Sequence, residues 1–322
     1  MLFWGERGTG KSQILAYVTA WAHEKKWINL TISNHEDIVG GNFDILRHKN
    51  GLYLQFDLGK ELLADFKHAN EQFLTEFDVD MTYYGKYDIS GIRDGEPEPN
   101  PKVWDPMRKV WSDSWKENLL ENEIIDQNAQ NERLNYRLSD KLRDPKKLIE
   151  IVDEGINNPE VSVSAFGEVL EQLYRTDKYQ TLICMDGYNT FFQPSFYPSF
   201  RYANNKHYNN CIPPYDLAIC RLLMKFDGHF MRNGVKVTAT SHLRFFNHTM
   251  KPSDIKFPDG YHQKVSNLAL NDFRNAMKYY EVTGFWENRY QREYQMETLF
   301  METQGNWHCF KDTWARYQQL HS

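Results

Sequence analysis

Hydrophobic residues near the start of the chain follow two different spacings, one typical of strands and one typical of helices. The apolar triplet Leu2, Phe3 and Trp4 predicts the end of a strand. Residues 12–26 then carry apolar side chains three and four positions apart, and residues 27–32 alternate as in a second strand. A strand, a helix and a strand in this order predict a βαβ unit and therefore a parallel sheet.

The same two spacings return further along the chain. Helical spacing predicts four amphipathic helices, over residues 61–77, 148–156, 164–173 and 271–280. A continuous apolar run over 181–186 ends in an acid and predicts a strand buried on both faces, and residues 235–241 predict another strand. The polar residues 33–37 predict a turn, and helices are expected to predominate after Asp259.

The stretch from Tyr84 to Pro145 departs from these patterns. Three prolines within residues 95–101 exclude regular structure, because proline lacks a backbone donor and restricts the residue before it. Residues 117–143 are dense in polar and charged side chains, which predicts surface helices rather than a core. The predicted division is a core formed by residues 1–83 and 146–250, a polar surface insertion over 84–145 and a helical C-terminal subdomain over 251–322.

Composition narrows the class of protein. With 41% hydrophobic and 25% charged residues among 322, the chain is expected to fold as a globular protein. No apolar run approaches the roughly 20 residues that a membrane helix needs, so we expect no membrane partner.

The net charge of the chain is −6, which argues against a protein that coats nucleic acid, so any RNA contact is expected to be local. The four cysteines lack metal-binding spacing, which predicts reduced thiols and no structural metal. An aromatic content of 15% fits either partner-binding surface or a lineage bias in composition.

Residues 5–12 read G-E-R-G-T-G-K-S, a complete G-x-x-x-x-G-K-S phosphate-binding loop between the first predicted strand and helix. Its glycines let backbone N–H groups converge on an anion at the helix N-terminus. Lys11 is expected to reach the β- and γ-phosphates, and the Ser12 hydroxyl to bind Mg²⁺. The predicted nucleotide-binding residues are Arg7, Gly8, Thr9, Gly10, Lys11, Ser12 and Gln13.

Two further strand ends carry candidate phosphate-site residues. Asp186 follows the strand over 181–185 and has the position of a Walker-B aspartate, which would hold Mg²⁺ beside Ser12, although a loop-capping role is the alternative. Ser241 and His242 follow the later strand and are candidate γ-phosphate sensors, and Arg244 is a candidate arginine finger. Structural roles for His242 and Arg244 remain the alternative.

Gly187 stands where energetic ATPases of this architecture usually place a glutamate that orients the attacking water. Without such a base the site keeps the electrostatic help of Lys11 and Mg²⁺ but loses water activation. The sequence therefore predicts slow hydrolysis or none, so that the protein is at most a slow GTPase and no catalytic residue is assigned.

Several motifs carry a family resemblance. Residues 66–74 read F-K-H-A-N-E-Q-F-L, similar to the helix F-K-x-x-N-E-x-F-L, and D-G-Y-N over 186–189 resembles the strand end V-D-G-x-N. Further segments fit in order, namely Ile212-Pro213-Pro214 with Leu217-Ala218, and Val265-Ser266-Asn267 with Phe273 and Tyr279-Tyr280. From Leu2 to about Trp286 the chain thus resembles the mitochondrial small-subunit ribosomal GTP-binding proteins, also called the death-associated protein 3 family.

This resemblance implies a fold and a cellular setting. The fold is an α/β, ATPase-like P-loop NTPase core of three layers with a parallel sheet, a helical C-terminal subdomain and a surface insertion. The implied setting is the head of the mitochondrial small ribosomal subunit, in the matrix. The implied partners are ribosomal proteins of that head, with limited rRNA contact, a possible contact with the large subunit and no membrane.

The resemblance also implies a bound guanine nucleotide, GTP or GDP, with Mg²⁺, used as a structural element. The chain has no clear N-K-x-D guanine selector, so the residues themselves do not distinguish GTP from ATP. Two other functions stay open. One is an active switch NTPase whose loops reorder on hydrolysis, and the other is a free apoptotic or signalling adaptor with the insertion as its binding arm.

Overall fold

The computed structural model describes residues 1–33, 35–48, 52–85, 137–198, 210–224, 231–241, 251–255, 257, 259–283 and 293–313. The strands in these ranges are β1 (Leu2–Trp4), β2 (Ile28–Ile32), β3 (Leu46–Arg47), β4 (Tyr53–Leu54), β5 (Thr181–Met185), β6 (Gly234–Ala239) and β7 (His262–Lys264). The α-helices are α1 (Lys11–Glu24), α2 (His35–Val39), α3 (Phe56–Leu74), α4 (Leu138–Lys141), α5 (Leu148–Asn157), α6 (Ser162–Arg175), α7 (Ala218–Met224), α8 (Leu270–Val282) and α9 (Glu293–Thr303). Residues 307–313 are also helical.

Five of these strands form one parallel sheet in the order β2, β5, β6, β1, β7. Leu2 of β1 is in register with Thr238 of β6 on one side and with His262 of β7 on the other. Strand β6 therefore separates β1 from β5, and the carboxyl ends of all three strands lie along one edge of the sheet. The predicted α/β fold with a parallel sheet is confirmed.

Helices cover both faces of this sheet. Leu182 and Cys184 of β5 pack toward α1, in a small apolar cluster that includes Leu15. Ile183 and Met185 alternate with them and pack into the large core on the opposite face. The run over 181–185 is buried throughout, as the sequence predicted, because each face of the strand meets its own hydrophobic layer.

Three elements differ from the sequence-based expectation. The segment predicted as a turn contains the short helix α2, whose Ile38 and Val39 are buried in the core. The polar strand β7 lies in the region expected to be helical, where it pairs with the edge of β1. Helix α6 has the predicted amphipathic pattern, but it is buried from Ser162 to Tyr174. Two of its polar side chains accept hydrogen bonds from backbone N–H groups: Glu168 from Gly85 and Gln172 from Asp80.

Most of the predicted insertion, residues 86–136, lies outside the described residues. Both described ends of the insertion pack into the core. Tyr84 and Leu138 are buried in the large apolar cluster, and the Tyr84 hydroxyl donates to the Leu142 carbonyl. The division into core, insertion and C-terminal subdomain stays a prediction.

The C-terminal helices form a separate small core. Phe273 and Met277 of α8, Leu299 of α9 and Phe310 are buried together, with Trp307 partly buried against them. This aromatic cluster lies apart from the two clusters that flank the main sheet. Within the ranges that the structure describes, no helix combines the length and apolar character required to cross a membrane.

Candidate functional site

The predicted phosphate-binding loop occupies the turn between β1 and α1. Helix α1 begins at Lys11, immediately after the loop glycines, so the free N–H groups of its first turn lie at the mouth of the loop. Thr9 is buried within the loop, and its hydroxyl donates to the Glu6 carbonyl at 3.1 Å. The strand, loop and helix thus follow one another in the order that an anion site at a helix N-terminus needs.

Lys11 is buried over this loop. Its ammonium donates to the carbonyls of Gly5 at 3.0 Å and of Glu6 at 2.6 Å. Burial lowers the pKa of Lys11 below its ordinary value, and the nearby charges of Asp186 and Glu6 oppose that shift without cancelling it. An anionic group in the loop would offer this ammonium a charged acceptor in place of two neutral carbonyls.

Ser12 and Asp186 meet across the carboxyl edge of the sheet. The Ser12 hydroxyl donates to Asp186 Oδ2 at 2.5 Å, and Gly187 N donates to Asp186 Oδ1 at 2.9 Å. A hydroxyl and a carboxylate are oxygen ligands of the kind that Mg²⁺ accepts, and a nucleotide-bound Mg²⁺ takes most of its remaining ligands from phosphates and water. The absence of any group of three or more His, Cys, Asp or Glu among the described residues is compatible with such a site.

Ser241 reaches the same edge from the end of β6. The Asn189 side chain holds the Ser241 backbone through two hydrogen bonds: Asn189 Nδ2 donates to Ser241 O at 2.9 Å, and Ser241 N donates to Asn189 Oδ1 at 2.7 Å. The Ser241 hydroxyl lies 3.1 Å from Nε2 of His35, the first residue of α2. His242 and Arg244, the other candidates after this strand, lie outside the described residues.

A cavity of about 600 Å³ opens over the loop, a size typical of small-molecule sites. One wall is formed by the loop and the end of β6, through Arg7, Gly8, Gly10, Lys11, Ser12, Gln13, Thr240 and Ser241. The facing wall comes from the C-terminal helices, through Tyr280, Trp307, Phe310 and Lys311. The cavity therefore joins predicted site residues to a wall that the sequence did not predict.

Asn306 ties the C-terminal wall to the loop. Its Nδ2 donates to Arg7 O at 2.7 Å and to Asn267 Oδ1 at 3.0 Å, and the neighbouring Trp307 N donates to Gly8 O at 3.1 Å. Gly8 has a φ of 83°, and a Cβ there would lie 2.2 Å from Asn306 Oδ1. Glycine is thus required at position 8 by both its backbone conformation and the close approach of Asn306.

Asn306 also caps the helix that carries the aromatic wall. Its Oδ1 accepts hydrogen bonds from His308 N at 2.9 Å and Cys309 N at 3.3 Å, as an N-cap side chain does. The Trp307 ring contacts Tyr280 at 5.4 Å and Phe310 at 5.3 Å between centroids. The sequence analysis did not predict this helix start, although an Asn directly before a helical stretch is a typical N-cap signal.

Comparison with known proteins identifies the family of this chain. A search of curated proteins found no match. One family profile, described as mitochondrial ribosomal death-associated protein 3, matches residues 1–313, which is nearly the whole chain. The family resemblance inferred from the motifs is confirmed, and membership implies a mitochondrial ribosomal component. The chain belongs to the mitochondrial ribosomal death-associated protein 3 family.

Proposed function

We propose that this protein is a nucleotide-stabilised component of the mitochondrial small ribosomal subunit, with a purine nucleotide and Mg²⁺ bound in the cavity over the phosphate loop. The observation that carries the proposal is that Lys11 and Ser12, the latter bonded to Asp186, line a cavity of about 600 Å³ whose facing wall is aromatic. Cations and N–H groups suit phosphates, and aromatic faces suit a base.

The end of the cavity that carries the phosphate loop, here called the phosphate end, supports a P-loop NTPase core. The loop leaves β1 and enters α1, and Asp186 follows β5, two strands away in the same parallel sheet. In the nucleotide-bound state Lys11 would leave the Gly5 and Glu6 carbonyls for phosphate oxygens. Ser12 and Asp186 would then hold Mg²⁺, which neutralises phosphate charge.

The opposite end of the cavity, here called the aromatic end, supports a purine base as the ligand. Tyr280, Trp307 and Phe310 present ring surface to the cavity, and stacking on such rings is worth about 1–3 kcal/mol per base. Stacking does not distinguish guanine from adenine. The preference for GTP or GDP therefore follows the family resemblance, and ATP is the competing ligand in the test.

Thermal unfolding with and without nucleotide tests this binding. A nucleotide at a thousandfold excess over its Kd stabilises the folded state by about 4 kcal/mol, which predicts a clear rise in Tm with GTP or GDP and Mg²⁺. EDTA should reduce the shift. If no purine nucleotide raises the Tm or binds in equilibrium titration, the proposed site is wrong.

Slow turnover is part of the proposal. Gly187 has no side chain to orient water, so the rate of hydrolysis should fall far below the roughly 1–100 s⁻¹ of competent phosphoryl-transfer enzymes. A single-turnover assay with γ-labelled GTP, on free protein and on assembled subunits, measures it. Phosphate release at a rate comparable with translation steps, abolished by Asp186→Ala, would favour the switch NTPase instead.

The ribosomal role can be separated from that of a free adaptor. Family membership implies a mitochondrial ribosomal component, and we place it in the head of the small subunit, in the matrix, against ribosomal proteins. The net charge of −6 favours protein neighbours, with limited rRNA contact and a possible large-subunit contact. The protein should sediment with small subunits in high salt, whereas recovery only at the top of the gradient would favour the adaptor.

A further inference from the structure

The imidazole of His35 occupies the space directly above Gly187. A Cβ placed on Gly187 would lie 2.0 Å from His35 Nδ1 and 2.1 Å from its Cγ, well inside van der Waals contact. Gly187 also has a φ of 72°, a conformation that residues with side chains rarely adopt. The position where a water-orienting carboxylate would project is thus filled by a histidine from another strand end.

Helix α2 holds His35 in this position. Ile38 and Val39 are buried, the Gln55 amide donates to Ile38 O at 2.7 Å, and Phe196 N donates to Val39 O at 2.7 Å. The half-buried ring of His35 is therefore carried by a segment anchored in the core. Its Nε2 lies 3.1 Å from the hydroxyl of Ser241, which lines the cavity.

We infer that His35 is a positioning residue that turns the Ser241 hydroxyl toward the terminal phosphate, so that the site distinguishes a nucleoside triphosphate from a diphosphate. This inference rests on the proposed nucleotide site. Ser241 shares the cavity wall with Lys11 and Ser12, the residues proposed to bind the phosphates.

The chemistry of the two groups sets the direction of the hydrogen bonds. A phosphate oxygen only accepts at neutral pH, so Ser241 must give its single proton to the phosphate. Its oxygen is then left to accept from His35, which requires the proton on Nε2. In this arrangement Nε2–H donates to Ser241 Oγ, and Ser241 O–H donates to the terminal phosphate. Asn189 fixes the Ser241 backbone, so rotation of the hydroxyl is the freedom that His35 removes.

In this arrangement Ser241 binds the third phosphate, and His35 does not activate a water molecule for attack on it. A glutamate in this space would present a negative charge that accepts a proton from water, whereas His35 as an Nε2–H donor engages Ser241 instead. Selection for the triphosphate and slow hydrolysis then have a common cause in the His35 ring above Gly187.

The test compares ligands that differ only in the terminal phosphate. Affinities of the full chain for GDP and for the non-hydrolysable triphosphate GMPPNP, both with Mg²⁺, are measured by calorimetry for the wild type and for His35→Ala. We expect the preference for GMPPNP over GDP to fall about threefold, because the freed Ser241 hydroxyl then has about three staggered positions instead of one, while GDP affinity stays unchanged. His23→Ala, on the exposed side of α1, is the matched control and should change neither affinity.

Two more variants separate positioning from packing. His35→Gln keeps a side-chain N–H able to reach Ser241 and should restore much of the preference. Ser241→Ala should lower the preference about tenfold, the scale of one hydrogen bond to a charged acceptor, and the double variant should lose no more than Ser241→Ala, because His35 acts only through the Ser241 hydroxyl. Equal loss of GDP and GMPPNP affinity in His35→Ala, or no loss in either His35→Ala or Ser241→Ala, would overturn the inference.

Failure of the proposed function would look different. A wild-type protein that binds neither GDP nor GMPPNP would refute the nucleotide site itself, and His35 would lose its proposed role with it. If His35→Ala does not fold, His35→Gln and Ser241→Ala decide. An unchanged preference for GMPPNP in Ser241→Ala, or a loss in His35→Gln as large as in Ser241→Ala, would then overturn the inference.

Discussion

The two ends of the cavity are built in different ways. At the phosphate end, Ser12, Asp186 and Ser241 follow three neighbouring parallel strands, and Ser12 donates a hydrogen bond to Asp186 at the sheet edge. At the aromatic end, Tyr280 and Trp307 belong to a small separate core made by the C-terminal helices. The first end depends on the ends of strands that share a sheet, whereas the second depends on how distant helices pack. The two ends should therefore respond to substitution independently, except where Asn306 and the Trp307 backbone contact the loop.

The largest effect is expected at the phosphate end, from Lys11→Ala. Loss of the buried ammonium removes hydrogen bonds to charged phosphate, each worth about 1.5–3 kcal/mol, so affinity should fall about 100-fold for GTP and for tripolyphosphate alike. Calorimetry of both ligands measures it, with the exposed Lys60→Ala as control. Undiminished tripolyphosphate binding would place the phosphates elsewhere.

A smaller and more selective effect is expected at the aromatic end, from Trp307→Ala. Loss of one stacking surface should weaken GTP binding by about 1–3 kcal/mol and leave tripolyphosphate affinity unchanged, because tripolyphosphate has no base. Trp307→Phe should retain most of the GTP affinity. An equal loss for both ligands would mean that Trp307 supports the loop instead of the base.

Asn306 variants test the connection between the two ends. Asn306→Ala removes an N-cap worth about 1 kcal/mol, so amides in residues 307–313 should exchange faster with deuterium while those of β5 stay protected. Asn306→Asp keeps the cap acceptor but loses the donor to Arg7 O. It should therefore lower nucleotide affinity and leave deuterium exchange in residues 307–313 unchanged. Unchanged exchange in Asn306→Ala would show that the cap contributes little.

Cysteine labelling should distinguish the regions without perturbing stability. Burial raises the pKa of the Cys184 and Cys220 thiols, which lowers their thiolate fraction at any given pH, whereas Cys309 is exposed on the C-terminal helix. Iodoacetamide should label Cys309 first and reach Cys184 and Cys220 only on unfolding. Cys309→Ser should remove the fast phase, and rapid labelling of Cys184 would show that the sheet opens locally.

Local sequence was sufficient to predict the strands and the loop from which the proposed phosphate end is built. The loop, the buried strand before Asp186 and the strand before Ser241 are each encoded within about ten residues, so composition and spacing identify them. His35 was not predicted, because a short polar segment reads as a turn until buried partners of Ile38 and Val39 are known. The aromatic wall was not predicted either, since Tyr280 and Trp307 meet only after α8 and the last helix pack together.

Helix α6 shows the same limit within the main core. Its Glu168 and Gln172 gave it an amphipathic pattern, yet both side chains are buried and bond backbone groups near Asp80 and Gly85. Hydrogen-bond partners that lie more than eighty residues away in sequence cannot be read from spacing along the helix itself.

The contact between Asn306 and Arg7 has a consequence for the timing of folding. The two residues are 299 positions apart, so the loop is synthesised well before its partner. At about 5–20 residues per second, roughly 15–60 s of synthesis separate them. A chain truncated before Asn306 would carry every residue of the phosphate loop and still lack the group that holds Arg7. Completion of the loop therefore requires that synthesis has passed Asn306.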